Sequence, residues 1–219
     1  MPNIPAKPRN NAYKMANYEI TDEPLIDKTF QSLPRNIQQE LNTLFANVQD
    51  RFYTDKASLV ARLEELVEQY PHVPHISNYL AASYQMTRNK KAKPRVEENY
   101  KTHPKYLFAR IDYARLCLER RDLAKVREIF NEGFDLKLMY PQRNRFHITE
   151  FMAFNFIMCI YFRLSGEVEA AKQIAQTLTE VAPDHPITQQ IQKMTNDSFW
   201  NRLRNSWYTF KRRRREKKQ

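Results

Sequence analysis

The stretch CIYFRLSGEVEAAKQIAQTLTEVAPDHP, residues 159–186, decides the fold. Its aromatic Phe162 is followed four residues later by Gly166, and Ala171 comes five residues after the glycine. Glycine is favoured where a helix ends in a left-handed turn, and small residues let two helices approach closely. The stretch therefore predicts two helices joined at Gly166, with the second ending before Pro183.

Two earlier segments carry the same pattern less cleanly. Tyr84 and Cys117 take the position of Phe162, each late in an apolar helical pattern. Tyr84 and Cys117 are 33 residues apart, whereas Cys117 and Phe162 are 45 apart, which is a period of about 34 residues plus an insert of 11 residues. The insert is predicted to be a linker, LMYPQRNRFHI, around Pro141.

The last copy resembles the tetratricopeptide repeat, a unit of about 34 residues. That unit pairs two helices, with an aromatic late in the first, a glycine at the bend, small residues in the second and a proline near the end. The resemblance implies an all-α fold, a right-handed superhelical stack of antiparallel helix pairs (a TPR-like α-solenoid) over residues 33–195. Three copies are recognisable, and LVARLEELVEQYP, residues 59–71, suggests a degenerate fourth before them.

The composition agrees with an all-helical chain of one domain. Of 219 residues only two are glycine, which argues against a Gly-rich phosphate loop or a dinucleotide fingerprint. Both cysteines, Cys117 and Cys159, lie inside apolar helical patterns without metal-ligand spacing. They are predicted to be reduced core residues.

The chain divides into three parts by pattern. Residues 1–32 hold four prolines and no lasting periodicity, and are predicted to be a flexible N-terminal arm. Helices follow from about Pro34, with Thr54 or Asp55 capping the second and Pro74 opening the third. The first helix is expected to bury one face, which consists of Leu41, Leu44, Phe45, Val48 and Phe52.

No combination of residues predicts catalysis. The five histidines are scattered, and His72, His75, His103 and His185 are interpreted as exposed residues at helix junctions. Carboxylates in LEELVE, EEN and GEVEA alternate with basic residues, as on solvated helix faces. The chain is predicted to be no enzyme, with no metal, no cofactor and no small-molecule substrate.

The resemblance places function in a concave groove lined by the first helix of each repeat. By position, the implied lining residues are His75, Asn78, Ala82, Gln85, Met86, Phe108, Ile111, Arg115, Leu118, Glu119, Phe156, Ile160 and Arg163. The expected partner is a peptide or helix of another protein, with apolar or acidic-apolar character suited to Arg115 and Arg163. A clamp for a partner's C-terminal carboxylate is disfavoured, because Ala82 replaces a required Asn and no Lys completes the set. The alternative is that these apolar residues are core beneath an inserted loop or the terminal helix.

The C-terminal part, residues 196–219, is basic and aromatic. Residues 197–219 hold nine Lys and Arg against two acids, out of a net charge of +11 for the chain. On a helix, Phe199, Trp200, Leu203, Trp207 and Phe210 would share a stripe of roughly 100°, and the basic run Lys211, Arg212, Arg213, Arg214 and Arg215 follows it.

Three interpretations of this tail stay open: a capping helix for the repeat stack, a contact with an anionic membrane surface, or a segment that binds nucleic acid such as RNA or an acidic partner. The start of the chain has no apolar run typical of a signal peptide, which predicts a cytoplasmic protein, or one peripheral at a membrane surface. The most apolar run, FMAFNFIMCIYF, spans 12 residues and is expected to be too short to cross a bilayer. Taken together, the sequence predicts a non-catalytic adaptor or scaffold of helical repeats. The alternative is an RNA- or membrane-associated protein acting through its tail.

Overall fold

The structure is a computed structural model that describes residues 13–195 except 16, 26 and 51. The described chain is mostly helical, as predicted. Its elements are β1 (Tyr13–Lys14), β2 (Glu19–Thr21), α1 (Lys28–Gln31), α2 (Arg35–Gln49), α3 (Lys56–Gln69), α4 (Pro74–Met86), α5 (Ala92–Thr102), α6 (Leu107–Arg120), α7 (Leu123–Ile129), α8 (Leu136–Met139), β3 (Arg145–His147), α9 (Ile148–Ser165), α10 (Val168–Val181) and α11 (Pro186–Thr195).

Local signals account for most helix boundaries. Asp55 caps α3 by accepting a hydrogen bond from the backbone N–H of Ser58 at 3.2 Å, and α4 begins at Pro74, both as predicted. At the start of α9 the His147 side chain accepts from the backbone N–H of Thr149, while Glu150 accepts from that of His147. Such reciprocal caps satisfy backbone donors that have no partner within the helix.

The long helices pack in a regular order. From α3 to α7 each packs on the next in sequence, and so do α9, α10 and α11. Alternate helices also meet: α2 packs on α4, α4 on α6, α6 on α9, and α9 on α11. The helices α2, α4, α6, α9 and α11 therefore form one row, on which the other long helices pack.

The turns after α4, α6 and α9 are alike. Arg88, Arg121 and Gly166 have positive φ values of 53°, 58° and 92°, and each lies four residues after Tyr84, Cys117 or Phe162. The residue after each turn donates its backbone N–H to the carbonyl of that earlier residue, over 2.8, 2.9 and 2.8 Å. The spacing read from the sequence thus corresponds to three copies of one turn.

Replacing Gly166 with alanine is expected to lower the free energy of unfolding by about 1 kcal/mol. A Cβ at Gly166 would meet no atom within 4 Å, so the cost arises from the left-handed backbone alone. Urea denaturation followed by circular dichroism measures it. The control is Gln173→Ala at an exposed site on α10, where a change within about 0.5 kcal/mol is expected. Equal midpoints for the two variants would contradict the prediction.

Two main hydrophobic clusters form the core. The first joins α2, α3 and α4 through residues such as Leu41, Leu63 and Leu80. The second joins α6, α7, α9, α10 and α11 with β2 and β3, and includes Phe130 and Phe154, whose rings meet edge to face at 5.5 Å. The small residues expected at helix contacts are buried there or nearby, namely Ala81, Ala114, Cys159 and Ala171. Both cysteines are buried and unpaired, as predicted.

The two end helices present polar outer surfaces. The residues exposed on α2 are mostly polar, such as Asn36, Gln39 and Asn42, and on α11 they include Gln189 and Gln190. In α2 the buried side chains are Ile37 and Leu41. Contrary to the predicted buried face, Phe45 and Phe52 of this region are exposed.

Residues 1–32 were predicted to be a flexible N-terminal arm, and the described part of this arm contains β1, β2 and α1. In its described part, β2 pairs with β1 in antiparallel and with β3 in parallel orientation, and Ile20 lies opposite Phe146. Tyr18 and Ile20 are buried in the second cluster and Leu33 in the first. We call residues 17–25 and 27–31 the strap, because they connect the two clusters.

The insert is also more structured than the linker predicted around Pro141. It contains α8 and β3, and the ring of Phe146 is fully buried. The backbone N–H of Glu19 donates to the carbonyl of Asn144 at 2.9 Å. The insert therefore provides the partner strand, β3, for the strap.

Candidate functional site

The residues implied for the groove lie on α4, α6 and α9, which are neighbours in the row formed by α2, α4, α6, α9 and α11. On α4, Asn78, Ala82 and Met86 are half-buried and Gln85 is exposed. On α9, Phe156, Ile160 and Arg163 are half-buried, with spacing that places them on one side of the helix.

Two implied residues of α6 belong to the core instead. Ile111 is 1% exposed and Leu118 is 6% exposed, whereas Phe108, Asp112 and Arg115 are half-buried. The face assigned from the sequence is therefore wrong by one position on α6: Asp112, and not Ile111, lies with Phe108 and Arg115. The apolar pair Ile111 and Leu118, seven residues apart, marks the core side, and this spacing was the available signal. We define the groove face as Asn78, Tyr79, Ala82, Met86, Phe108, Asp112, Arg115, Phe156, Ile160 and Arg163.

Aromatic side chains continue the groove face toward α2. Phe45 of α2 stacks on Tyr79 of α4, with ring centroids 4.7 Å apart, and is 38% exposed. Burial raises the pKa of Tyr79 to about 12, so its hydroxyl is neutral under physiological conditions. Neither residue was assigned to the groove from the sequence, although Tyr79 lies next to Asn78. The face thus offers rings that are partly open to a ligand.

The charges on the groove face are largely compensated within the chain. A nitrogen of Arg115 lies 3.5 Å from an oxygen of Asp112, one helical turn away. The Asp112 side chain is 19% exposed, and this burial raises its pKa against the opposing effect of Arg115. Arg115 is therefore engaged by Asp112, which weakens the expectation that it holds an acidic partner. Apolar contact is the main chemistry that the face offers.

The strap closes one end of the groove face. Phe30 meets the ring of His75 edge to face at 5.6 Å, and Tyr106, the N-cap residue of α6, packs on the same ring at 5.0 Å. Nε2 of His75 lies 3.8 Å from Oδ2 of Asp27. His75 was expected to be an exposed junction residue lining the groove, but the strap covers it.

The strap also reaches the start of α9. Nε2 of His147 lies 3.3 Å from the carbonyl oxygen of Asp22. Nδ1 of the same ring accepts from the backbone N–H of Thr149, so Nε2 carries the proton and donates to Asp22. The strap thus follows the N-terminal ends of α4, α6 and α9.

A second concavity lies away from the groove face, between α3 and α5. Its volume is about 420 Å³, and it is lined by Glu64, Val67, Glu68, Tyr84, Lys91, Pro94, Arg95 and Glu98. Glu64 accepts a hydrogen bond from the Tyr84 hydroxyl. It also forms an ion pair with Lys91, whose Nζ lies 2.9 Å from Oε1 of Glu64. These two contacts, led by that of Tyr84, lower the pKa of Glu64. The arrangement ties α3 to α4 and to the N-cap of α5, and most of its charges are paired with one another, Glu64 with Lys91 and Arg95 with Glu98.

Titratable groups elsewhere in the described residues form no cluster suited to a metal. No three His, Cys, Asp or Glu residues come together there. Burial raises the pKa of the Cys159 thiol to about 11 and also raises that of Cys117, so neither described cysteine is an activated nucleophile. The tail residues proposed for contact with RNA or membrane, Trp200, Trp207 and 211–215, lie outside the described residues.

One described helix, α9, is long and apolar enough to span a membrane by length and composition alone. It has 18 residues, longer than the 12-residue run considered in the sequence. In this fold it packs on α6, α10 and α11, and seven of its residues are buried.

Comparison of the chain with protein-family models, with curated proteins and with solved structures gives no match.

Proposed function

We propose that the chain is a non-catalytic adaptor built of stacked tetratricopeptide-like repeats, which binds a peptide or helix of another protein on the groove face. The observation that carries the proposal is the row of half-buried aromatic and aliphatic side chains across α4, α6 and α9. Partly exposed rings in a row of this kind are typical of surfaces that bind a partner through apolar contacts. The recurring turns after Tyr84, Cys117 and Phe162 support the repeat assignment.

The partner is expected to be an amphipathic segment that inserts apolar side chains among Tyr79, Phe108, Phe156 and Ile160. Such a segment needs no carboxylate anchor, because Arg115 is paired with Asp112. Helix-in-groove recognition depends on a few apolar anchors at helical spacing. The rim charges would then determine orientation more than affinity.

Affinity purification with the tagged full chain tests this function. Phe108→Ala combined with Phe156→Ala is expected to weaken partner binding by about 2 kcal/mol or more, about thirtyfold, because truncating aromatic anchors has effects of this size. The partner identified with the wild type is then titrated against each variant.

Phe52→Ala serves as the matched control, because Phe52 is a 74% exposed aromatic outside the groove face. The control is expected to bind the partner like the wild type. If the double variant keeps its helical circular dichroism spectrum and also keeps full affinity, the groove face does not bind that partner.

A second candidate function rests on α11. Apart from Pro186, the exposed described residues of this helix are polar, including Gln189, Gln190 and Lys193, and α11 itself packs on α9 and α10. The described residues of α11 therefore expose little apolar surface that the stripe of Trp200 and Trp207 could cover as a cap. This favours a binding role for the tail sequence, toward RNA or an anionic membrane surface.

A further inference from the structure

We propose that α1 and its cap residue Asp27 form a pH-sensitive cover over the end of the groove face, closed while His75 is uncharged and opened when His75 takes a proton. The cover would regulate the partner site, so its importance for binding rests on the proposed function. The opening itself does not.

The cover has few contacts of its own. α1 is a single helical turn, whose Asp27 side chain accepts from the backbone N–H groups of Thr29 and Phe30 at 2.8 and 3.0 Å. No residue of α1 is fully buried. Among described side chains, its ring and charge contacts with α4 converge on His75, through Phe30 and Asp27. A segment with so little buried surface belongs to the part of a protein that opens locally without global unfolding.

The ends on both sides of the cover are anchored more firmly. Ile20 is 1% exposed and pairs with β3, and Leu33 is 4% exposed in the first cluster. Residues 27–31 can therefore lift from α4 while both anchors stay in place. Lifting the cover would expose the His75 ring and extend the groove face by one more aromatic position beside Tyr106.

The site around His75 disfavours a positive charge on the ring. The ring lies between Phe30 and Tyr106, and its Nδ1 atom is buried without a hydrogen-bond partner. This desolvation lowers the pKa of His75, against the opposing attraction of Asp27 and, more weakly, Glu150.

The other charged groups near the ring do not provide a closer counter-charge. Glu150 is held by Arg143 at 2.6 Å. Lys28, on the same turn as Asp27, is exposed. Burial raises the pKa of Asp27, but hydrogen bonds from Thr29 and Phe30, together with the attraction of His75, outweigh it and lower this pKa below its usual value. The carboxylate therefore stays charged at the pH values where histidine titrates.

The direction of the pH effect follows from linkage. Because the pKa of His75 is lower in the closed state than in the open state, the open state takes up a proton first as the pH falls. Closure is therefore favoured above the ordinary histidine pKa of about 6.5 and weakens below it. Between pH 7.5 and 5.5 the open population is expected to rise by up to about tenfold, since protonation of the exposed ring increases by that factor.

Hydrogen exchange measured by mass spectrometry or NMR tests the cover on the full chain. The backbone N–H groups of Phe30, Gln31 and Ser32 are bonded within the cover. Their protection factors, corrected for intrinsic exchange rates, are expected to fall several-fold, up to about tenfold, from pH 7.5 to 5.5. His75→Phe, which keeps an aromatic ring between Phe30 and Tyr106, should abolish this fall.

Three further measurements make the result specific. Exchange at the backbone N–H of Ala114 in α6 reports any loss of global stability. His103 and His185 contribute to such a loss as the pH falls, because burial lowers the pKa of each. His147→Gln should keep the fall at the cover, which excludes the other histidine that contacts the strap as its cause. Phe30→Ala should lower the protection factors of the cover already at pH 7.5. This variant replaces His75→Phe if the latter does not fold.

Two results would overturn the proposal: protection that stays constant across this pH range in the wild type, or an equal fall in His75→Phe. Because the exchange experiment requires no partner, its failure would leave partner binding on the groove face untouched. A groove face that binds no protein would likewise leave the exchange result valid.

Discussion

Replacing Phe146 with alanine is expected to lower the free energy of unfolding by about 3–5 kcal/mol, the usual cost of removing a buried ring. Phe146 is fully buried in β3, opposite Ile20, and the ring of Tyr18 meets it edge to face at 5.2 Å. The guanidinium of Arg143 lies over the same ring at 4.4 Å from its centroid. Truncation would leave a cavity at the place where the strap, the insert and α9 meet.

The result discriminates between two views of the insert. If residues 138–148 were only a linker, as the sequence suggested, the same substitution would change stability by no more than about 0.5 kcal/mol. Urea denaturation followed by circular dichroism measures the midpoint, and a domain of marginal stability would lose a large part of its total.

Leu138→Ala is the matched control within the insert. Leu138 is a large apolar residue of α8 that is 71% exposed, so a change within about 0.5 kcal/mol is expected. A Phe146→Ala midpoint equal to that of the control would show that the insert does not stabilise the fold through this ring.

Deleting residues 211–219 is expected to abolish binding to polyanions at low salt. Five consecutive basic residues, 211–215, would each add about 1 kcal/mol at an anionic bilayer surface. On single-stranded RNA, five neutralised phosphates predict that affinity falls about a hundredfold between 50 and 200 mM salt. Few single changes to this chain should have a larger effect on binding.

The measurement compares vesicles of phosphatidylserine and phosphatidylcholine with a single-stranded RNA, using the full chain and the deletion. Replacing 211–215 with glutamine controls for chain length, and vesicles of phosphatidylcholine alone control for charge. Binding to the vesicles only would assign the tail to membranes, and binding to the RNA only would assign it to nucleic acid. If the full chain binds neither at low salt, the second candidate function is wrong.

The candidate site was only partly predictable from the sequence. Phe108, Arg115, Phe156 and Ile160 lie on the predicted face because helical position follows from a period of 3.6 residues. Ile111 was misplaced because an assignment by repeat spacing does not specify which of two adjacent positions faces the core. Tyr79 was missed for the same reason.

The strap was not predicted from the sequence for a different reason. Residues 17–31 contain no helical period, and a two- or three-residue strand has no recognisable pattern of its own. Ile20 becomes a core residue only when Phe146, 126 positions later, is beside it. The burial of His75 depends in turn on Phe30, which only the strap brings to α4.

The sequence by itself determined the helical class, most helix boundaries and the spacing of Tyr84, Cys117 and Phe162. These features depend on short-range physics: the helical period, proline and capping residues, and the left-handed turn that recurs at Arg88, Arg121 and Gly166. Only the tertiary structure decided that the N-terminal segment pairs with the insert and covers His75. These contacts join residues that are 45 positions apart for Phe30 and His75, and 126 apart for Ile20 and Phe146. They gain their stability from the assembled core, so a local pattern of residues does not predict them.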